Sequence, residues 1–526
     1  MIQKSINHFF ANSKYEPNNS TIQILPVLIL LVGFSIRFFA FHCTPIINPD
    51  GTLYIQQAKA IYYGLNNMLT ACFPYLSIYP IFIVGSFKIF GDWIVAAKTV
   101  SLIFGSLSLI PLYLMLRRFF DETIASFSLL IFALNPAFID VCGKVVRGPI
   151  YWFFSLFGLY LFILHIERKK SLYLILSTFV LFIAAWARIE AILYIIMSFV
   201  YMVVISKEKK LQNSFFFLLP VILIFAILII YNIPVMELFA PQRITNKIST
   251  ALANYQTLRA NLGEIIDQRP IGISPYFLPK VKNLLWFIAI GALFVQIIRA
   301  FFLPFFLIFV LGIGGLGGRI KRDPRLLYLV IVSIAALAVL YIQTLDQWAI
   351  VNRHISLFLF PSFVLIGFGL EKIIYLFKTR FQFSQSVVYA IICLLIFSIA
   401  LPKNLKRSED DKILFKEIGE FISNHSENKG EILIAGSFKR IRLIHFYANL
   451  NYPNAPCFNI NSIFTDKNKG SMRFLKKNAF HYFIWDEKNW TKKELNTIRN
   501  KYQKNIIELK ECWSPKLGKI ILFKVV

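Results

Sequence analysis

Charged residues are scarce in this 526-residue sequence: they make up 16% of the chain, against about a quarter in ordinary soluble domains. That scarcity excludes a soluble enzyme. Cysteine is also scarce, and the six cysteines form no CxxC pair and no cluster with histidine. The sequence therefore has no zinc-binding or redox motif.

Apolar residues are abundant instead, at 57% of the chain, including 54 Phe. This excludes a disordered protein and predicts an integral membrane protein. The net charge of +28 comes from short basic clusters between long apolar runs. Such clusters are typical of anchors facing anionic lipid, so nucleic acid is not the expected partner.

Apolar runs of about twenty residues predict about eleven transmembrane helices. They are expected at residues 22–41, 93–116, 124–138, 150–166, 172–187, 191–205, 215–231, within a broken segment 284–315, and at 326–342, 355–370 and 387–401. The apolar segment 79–90 is short and is expected at the interface.

The dense basic turns predict the orientation. Placing residues 1–21 in the cytoplasm leaves the short basic turns inside. The loops 42–92 and 232–283 then face outward, as does the tail 402–526, whose alternating pattern predicts a small α/β domain. We therefore expect a multi-pass protein of the inner (plasma) membrane, with its working site on the extracytoplasmic face.

The first outer loop carries an acid at the membrane edge. Asp50 follows the first apolar run, and from there it could take a proton from an acceptor hydroxyl. The alternative interpretation is that Asp50 caps the next helix.

Basic residues are expected at the same edge. The arginine fork matches phosphate oxygens, although each arginine could equally be a lipid anchor, and Arg188 could simply pair with Glu190. The candidates for binding phosphate are Arg147, Arg188 and Arg353 at the ends of crossings, and Arg269 and Lys280 in the second outer loop.

Several motifs, taken in order, resemble the protein O-mannosyltransferase and lipid A aminoarabinose transferase superfamily. They are Pro49-Asp50-Gly51 with Tyr54, Tyr79-Pro80, Arg117-Arg118-Phe119, Asn135-Pro136, Arg188-Ile189-Glu190 and Asn352-Arg353-His354. The resemblance implies a GT-C glycosyltransferase fold that takes a sugar from a polyprenyl-phosphate donor. It also implies that Asp50 acts as the base or orients the acceptor. Tyr54, Glu190 and His354, which stand in these motifs, are further site candidates.

Two departures from that pattern concern metal binding. Many relatives carry a second acid where this chain has Gly51, and an acid in the second outer loop where it has Arg147, with Asp140 seven residues earlier. A divalent metal therefore stays an open alternative, and the acceptor could be a glycan, a lipid or a protein. The other functions that fit the sequence are an O-antigen-type polysaccharide polymerase or ligase, and a lipid-linked sugar transporter or flippase.

Overall fold

The protein is described from a computed structural model, which covers residues 24–71, 75–205, 209–230, 242–268, 272–348, 350–405, 412–426, 430–436, 438, 440–456, 480–501 and 504–526. The α-helices, in chain order, are α1 (Ile24–Cys43), α2 (Pro49–Tyr62), α3 (Ile78–Phe90), α4 (Trp93–Leu107), α5 (Leu109–Leu116), α6 (Glu122–Ala133), α7 (Pro136–Cys142), α8 (Gly148–Arg168), α9 (Ser171–Ala187), α10 (Ile192–Val200), α11 (Lys210–Ile230), α12 (Gln242–Asp267), α13 (Phe277–Phe301), α14 (Leu303–Ile313), α15 (Leu316–Ile320), α16 (Pro324–Gln347), α17 (Asn352–Ser362), α18 (Val364–Arg380), α19 (Gln385–Asn404), α20 (Ile413–His425), α21 (Ile441–Ala448) and α22 (Lys492–Lys501). The strands are β1 (Ile434–Gly436), β2 (Tyr482–Asp486), β3 (Ile506–Ser514) and β4 (Gly518–Val525).

The apolar runs form the expected membrane helices, but the number of crossings differs. Within the described ranges, seven helical segments are long and apolar enough to cross a membrane: α1, α4 with α5, α8, α11, α13, α16 and α19. The number rises to nine if the bent pairs α6–α7 and α17–α18 each cross once. Helix α9 has 17 residues, or about 26 Å of length against a hydrocarbon core of about 30 Å. The expected eleven crossings are therefore not confirmed.

The second outer loop is more helical than expected. Residues 232–283 were predicted to be a polar loop, but α12 occupies Gln242–Asp267 and packs against α16, where Asn254 Nδ2 donates to Asp346 Oδ1 at 2.7 Å. Helix α13 then starts at Phe277 and runs unbroken to Phe301, so the break predicted within 284–315 comes late, at Phe302 with φ 68°. Apolar residues flank Lys280 and Lys282 in the first turns of α13, so the helix can begin before the fully apolar run starts.

The break between α6 and α7 is a polar junction inside the membrane region. The helices bend by 57° there, and the bend leaves carbonyl oxygens without helical partners. Arg37 Nη1 donates to the Ala133 carbonyl oxygen at 2.9 Å, and Asn404 Nδ2 donates to that of Leu134 at 2.9 Å. Asn135 Nδ2 reaches the last two carbonyl oxygens of α13. Side chains from two distant helices, α1 and α19, thus bond to carbonyl oxygens at the bend, and Asn135 at the bend bonds to the end of a third, α13.

The tail forms the small α/β domain predicted from its pattern. Its sheet has the order β1-β2-β4-β3, with β1 and β2 parallel and the other pairs antiparallel. Strand β2 is buried along its whole length, which agrees with the apolar residues 482–485, and its last residue, Asp486, is buried as well. The preceding helix α19 continues to Asn404, slightly beyond the predicted start of the domain at residue 402.

This domain packs directly onto helix α2. Lys59 Nζ donates to the carbonyl oxygens of Leu450 at 3.2 Å and Tyr452 at 2.6 Å. The backbone N–H of Ile47 donates to the Tyr447 hydroxyl at 3.2 Å. Burial lowers the pKa of the Lys59 amine to about 8, because its partners are carbonyl oxygens that carry no full charge.

Lys59 should make stability depend on pH. Its pKa is about 8 in the folded protein and about 10.5 when exposed, so between these values the unfolded chain holds a proton that the folded chain has released. The free energy of unfolding should therefore rise with pH across that window. We expect Lys59→Met to remove this part of the rise when thermal unfolding in detergent is followed from pH 7.5 to 9.5.

The exposed Lys88 of α3 offers the matched control. The Lys88→Met variant should keep the pH slope of the wild type. Identical slopes for the Lys59→Met and Lys88→Met variants would contradict a buried amine at the domain contact.

Candidate active site

Helix α2 holds Asp50 at its first turn, close to the end of α1. Pro49 occupies the start of the helix, where its missing N–H costs nothing. Asn48 stands at the cap position, but its side chain accepts from the Val145 backbone N–H at 3.1 Å and not from the helix. A Cβ on Gly51 would lie 2.8 Å from Val145 Cβ, so only glycine allows this close packing.

The Asp50 carboxylate faces Arg353 across the site. Both terminal nitrogens of Arg353 donate to Asp50 Oδ2 at 3.4 Å, a long ion pair between residues 303 positions apart. The Asp50 side chain is 45% exposed and the Arg353 side chain is 32% exposed. The capping role that the sequence left open for Asp50 is not what these contacts describe, since its hydrogen bonds go to α17 and not to the N–H groups of α2.

A buried ion pair lies behind Arg353. Arg188 Nη2 donates to Glu190 Oε1 at 3.0 Å, and Arg188 Nη1 donates to the Arg353 carbonyl oxygen at 3.4 Å. Glu190 Oε1 also lies 3.6 Å from Nδ1 of His354. The residues between α9 and α10 are thereby joined to the first turn of α17.

Arg147 approaches the same group from the start of α8. Its guanidinium carbon lies 5.2 Å from the centre of the Tyr75 ring, a cation–π arrangement. Tyr54 and Glu190 are close enough to interact with it electrostatically. Burial raises the pKa of the Tyr54 phenol, which therefore stays neutral in the physiological range.

The other candidate residues do not join this group in the described contacts. Asp140 is exposed and its Oδ2 pairs with Lys144 Nζ at 2.7 Å, one turn along the chain. Lys280 is exposed at the start of α13. Arg269 lies outside the described residues.

Two aromatic rings and one amide complete the site, and sequence reasoning missed them. Tyr75 lies against Arg147, and the Tyr151 ring lies 5.6 Å from the Arg188 guanidinium carbon. Gln343 Nε2 lies 2.8 Å from His354 Nδ1. The signal for Tyr151 was available, since it stands one helical turn after Arg147; nothing in the local pattern marks Tyr75 or Gln343.

The charges of the group do not cancel. Three arginines (Arg147, Arg188, Arg353) face two carboxylates (Asp50, Glu190), which leaves one positive charge in excess. No group of three or more His, Cys, Asp and Glu side chains that could hold a metal occurs in the part of the chain that the structure describes. What the geometry offers is a partly exposed carboxylate paired with a partly exposed arginine, whose fork has the shape to bind an anion.

A family model matches residues 77–233 and is described as dolichyl-phosphate-mannose-protein mannosyltransferase. The matched segment includes Arg147, Arg188 and Glu190 but neither Asp50 nor Arg353. A comparison with curated protein sequences gives no significant match.

Similar folds occur in solved structures of an oligosaccharyltransferase and of ArnT. The apo oligosaccharyltransferase of Archaeoglobus fulgidus matches with a TM-score of 0.58 at 13% identity, over 88% of this chain and 69% of that one. The same enzyme tethered to an acceptor peptide matches with a TM-score of 0.56 at 12% identity, over 95% of this chain and 74% of that one.

ArnT from Cupriavidus metallidurans, bound to undecaprenyl phosphate, matches with a TM-score of 0.52 at 11% identity, over 95% of this chain and 98% of that one. The helical membrane region and the small carboxyl-terminal sheet therefore agree with the resemblance noted in the sequence. The chain has the fold of the GT-C glycosyltransferases.

Proposed function

We propose that this protein is a membrane glycosyltransferase that moves a sugar from a polyprenyl-phosphate donor to an acceptor hydroxyl or amide on the extracytoplasmic face. The observation that carries the proposal is the contact between Asp50 and Arg353, with Tyr54 electrostatically close to both of them and to Arg147. A carboxylate next to an excess of positive charge is the arrangement expected of a base beside a phosphate site. The structural likeness to ArnT bound to undecaprenyl phosphate supports the same donor class.

In the proposed reaction the Asp50 carboxylate accepts the proton of the acceptor. The acceptor atom forms its bond to the anomeric carbon as the bond from that carbon to the phosphate oxygen breaks. The electron pair stays on the phosphate, where Arg353 and Arg147 stabilise the growing negative charge. The products are the glycosylated acceptor and polyprenyl phosphate.

The charge balance favours a monophosphate donor. A sugar phosphodiester carries one negative charge, which matches the single positive charge in excess at the site. A pyrophosphate donor carries at least one charge more, and burying an unmatched charge costs several kcal/mol. We therefore favour a polyprenyl monophosphate sugar, either hexose or pentose, over a pyrophosphate-linked oligosaccharide.

Mass spectrometry of glycolipids and cell-envelope polymers tests the function directly. Deleting the gene should remove one sugar from one acceptor and cause its polyprenyl-phosphate donor to accumulate. Restoring the wild-type gene should reverse both changes. An unchanged glycan profile, with no accumulation of donor, would refute the proposed reaction.

Orientation is tested separately by cysteine labelling. In a background without the native cysteines, a cysteine at Thr257 in α12 should react with an impermeant thiol reagent added to intact cells. A cysteine at Thr379, at the end of α18, should react only after lysis. The opposite pattern would place the site on the cytoplasmic face.

A further inference from the structure

Arg188 uses its guanidinium differently from the two other arginines of the site. Its side chain is 4% exposed, whereas Arg147 is half-buried and the Arg353 side chain is 32% exposed. Three described bonds occupy it: Nε and Nη2 donate to Glu190, and Nη1 donates to the Arg353 carbonyl oxygen. The fork that would bind a phosphate is already directed at protein oxygens.

Glu190, the partner of Arg188, also contacts His354, the residue after Arg353 in α17. Besides Arg188, its Oε1 faces His354 Nδ1 at 3.6 Å. The same His354 nitrogen meets Gln343 Nε2 at 2.8 Å, so the imidazole lies between α16 and the turn that holds Glu190. Further along α17, the Tyr194 hydroxyl donates to the Leu357 carbonyl oxygen at 2.8 Å.

These contacts converge on the backbone of the residue whose side chain meets Asp50. The Arg353 carbonyl oxygen accepts from Arg188 Nη1 at 3.4 Å and from Ser356 Oγ at 2.7 Å. Fixing this carbonyl and the neighbouring His354 fixes the first turn of α17. The direction in which the Arg353 side chain leaves the helix follows from that turn.

We propose that Arg188 and Glu190 form a buried positioning pair, which holds the start of α17 so that Arg353 stays against Asp50, and that Arg188 does not contact the donor. This inference rests on the proposed function and names a division of labour among its arginines. Arg353 and Arg147 bind the phosphate, while Arg188 acts through Arg353.

Removing one member of a buried pair leaves the other charge unpaired. An unpaired Glu190 would draw Arg353 away from Asp50 while leaving it within reach of the donor phosphate, and an unpaired Arg188 would compete for Asp50, so either single change would misplace the base and lower kcat. Removing both members takes away both sources of misplacement. The pair therefore predicts that the double variant is less impaired than either single variant.

The experiment compares Arg188→Met, Glu190→Leu and the double variant in a transfer assay with a synthetic polyprenyl-phosphate sugar. Each single variant should lower kcat about tenfold or more while the donor KM stays within about twofold of wild type. The double variant should recover part of that loss. Arg188→Lys, which keeps the charge but loses the fork, should also lower kcat at an unchanged donor KM.

A direct phosphate contact would give a different pattern. Arg188→Met would then raise the donor KM, and adding Glu190→Leu would restore nothing; that result overturns the inference. Binding of undecaprenyl phosphate to each purified variant, measured with its thermal midpoint, separates lost binding from lost folding. If the wild-type protein itself transfers no sugar from the donor, the proposed function fails while the structural pairing can still be measured through the thermal midpoints of the three variants.

Discussion

The Asp50→Asn variant should lose between roughly 10²- and 10⁴-fold in turnover while keeping its fold. Asparagine preserves the size of the side chain and its place in the first turn of α2, but its amide cannot take the acceptor proton. Because Arg353 can also donate to the neutral amide oxygen of asparagine, donor binding should change much less than kcat. Transfer from a labelled polyprenyl-phosphate sugar, with kcat and donor KM measured separately, gives the answer.

Asp140 provides a matched control on the same chain. Its side chain is 47% exposed against 45% for Asp50, and each carboxylate has one basic partner within the described residues. Asp140→Asn should leave turnover within about twofold of wild type, as expected for an exposed ion pair of little energetic weight. Normal turnover in Asp50→Asn would leave Asp50 with only a structural role at the start of α2.

Replacing Arg353 should produce the second largest effect. Arg353→Ala removes both the phosphate contact and the partner of Asp50, so kcat/KM should fall by about 10- to 100-fold, the equivalent of a charged hydrogen bond. Arg353→Lys keeps the charge but not the planar fork and should give a smaller loss, seen mainly as a higher donor KM. For Arg147 we expect the same order: kcat/KM should be lowest in the alanine variant, intermediate in the lysine variant and highest in the wild type.

Arg168 is the appropriate control, because it lies at the opposite end of α8, where its Nη1 donates to the Tyr173 hydroxyl at 3.0 Å. As an exposed anchor it should tolerate lysine with unchanged kinetics. If Arg353 and Arg147 tolerate both lysine and alanine as well, the phosphate site lies elsewhere, and the second outer loop with Lys280 and Arg269 becomes the next candidate.

Hydropathy alone predicts most of the membrane helices of this fold. Long apolar runs identify most membrane helices because every backbone group in a bilayer needs an internal partner. The polar junction at Asn135 could not be foreseen, since Arg37 and Asn404 reach it from helices far apart in sequence. The late start of the break near Phe302 likewise depends on a single backbone angle that no local pattern specifies.

For the candidate site, the sequence could indicate how deep each residue lies relative to the membrane, but not which of these residues contact one another. Ends of apolar runs placed Asp50, Arg147, Arg188 and Arg353 near one membrane face, and their roles stay predictions. That Asp50 meets Arg353 depends on how α2 and α17 pack, because the two residues are 303 positions apart in the sequence. The division between Arg188 and the other arginines depends on hydrogen-bond direction, which composition does not encode.

The tight contact at Gly51 restricts the substitutions open to this protein. A Cβ there would meet Val145 Cβ at 2.8 Å and Asn48 Oδ1 at 3.1 Å, so a second acid directly after Asp50 is not accommodated while Val145 stays in place. Position 145 would have to become smaller first, and that change brings no benefit until the acid follows it. Sites 51 and 145 should therefore vary together or not at all among descendants of this sequence, and a directed-evolution library must randomise both to explore a two-acid version of the first loop.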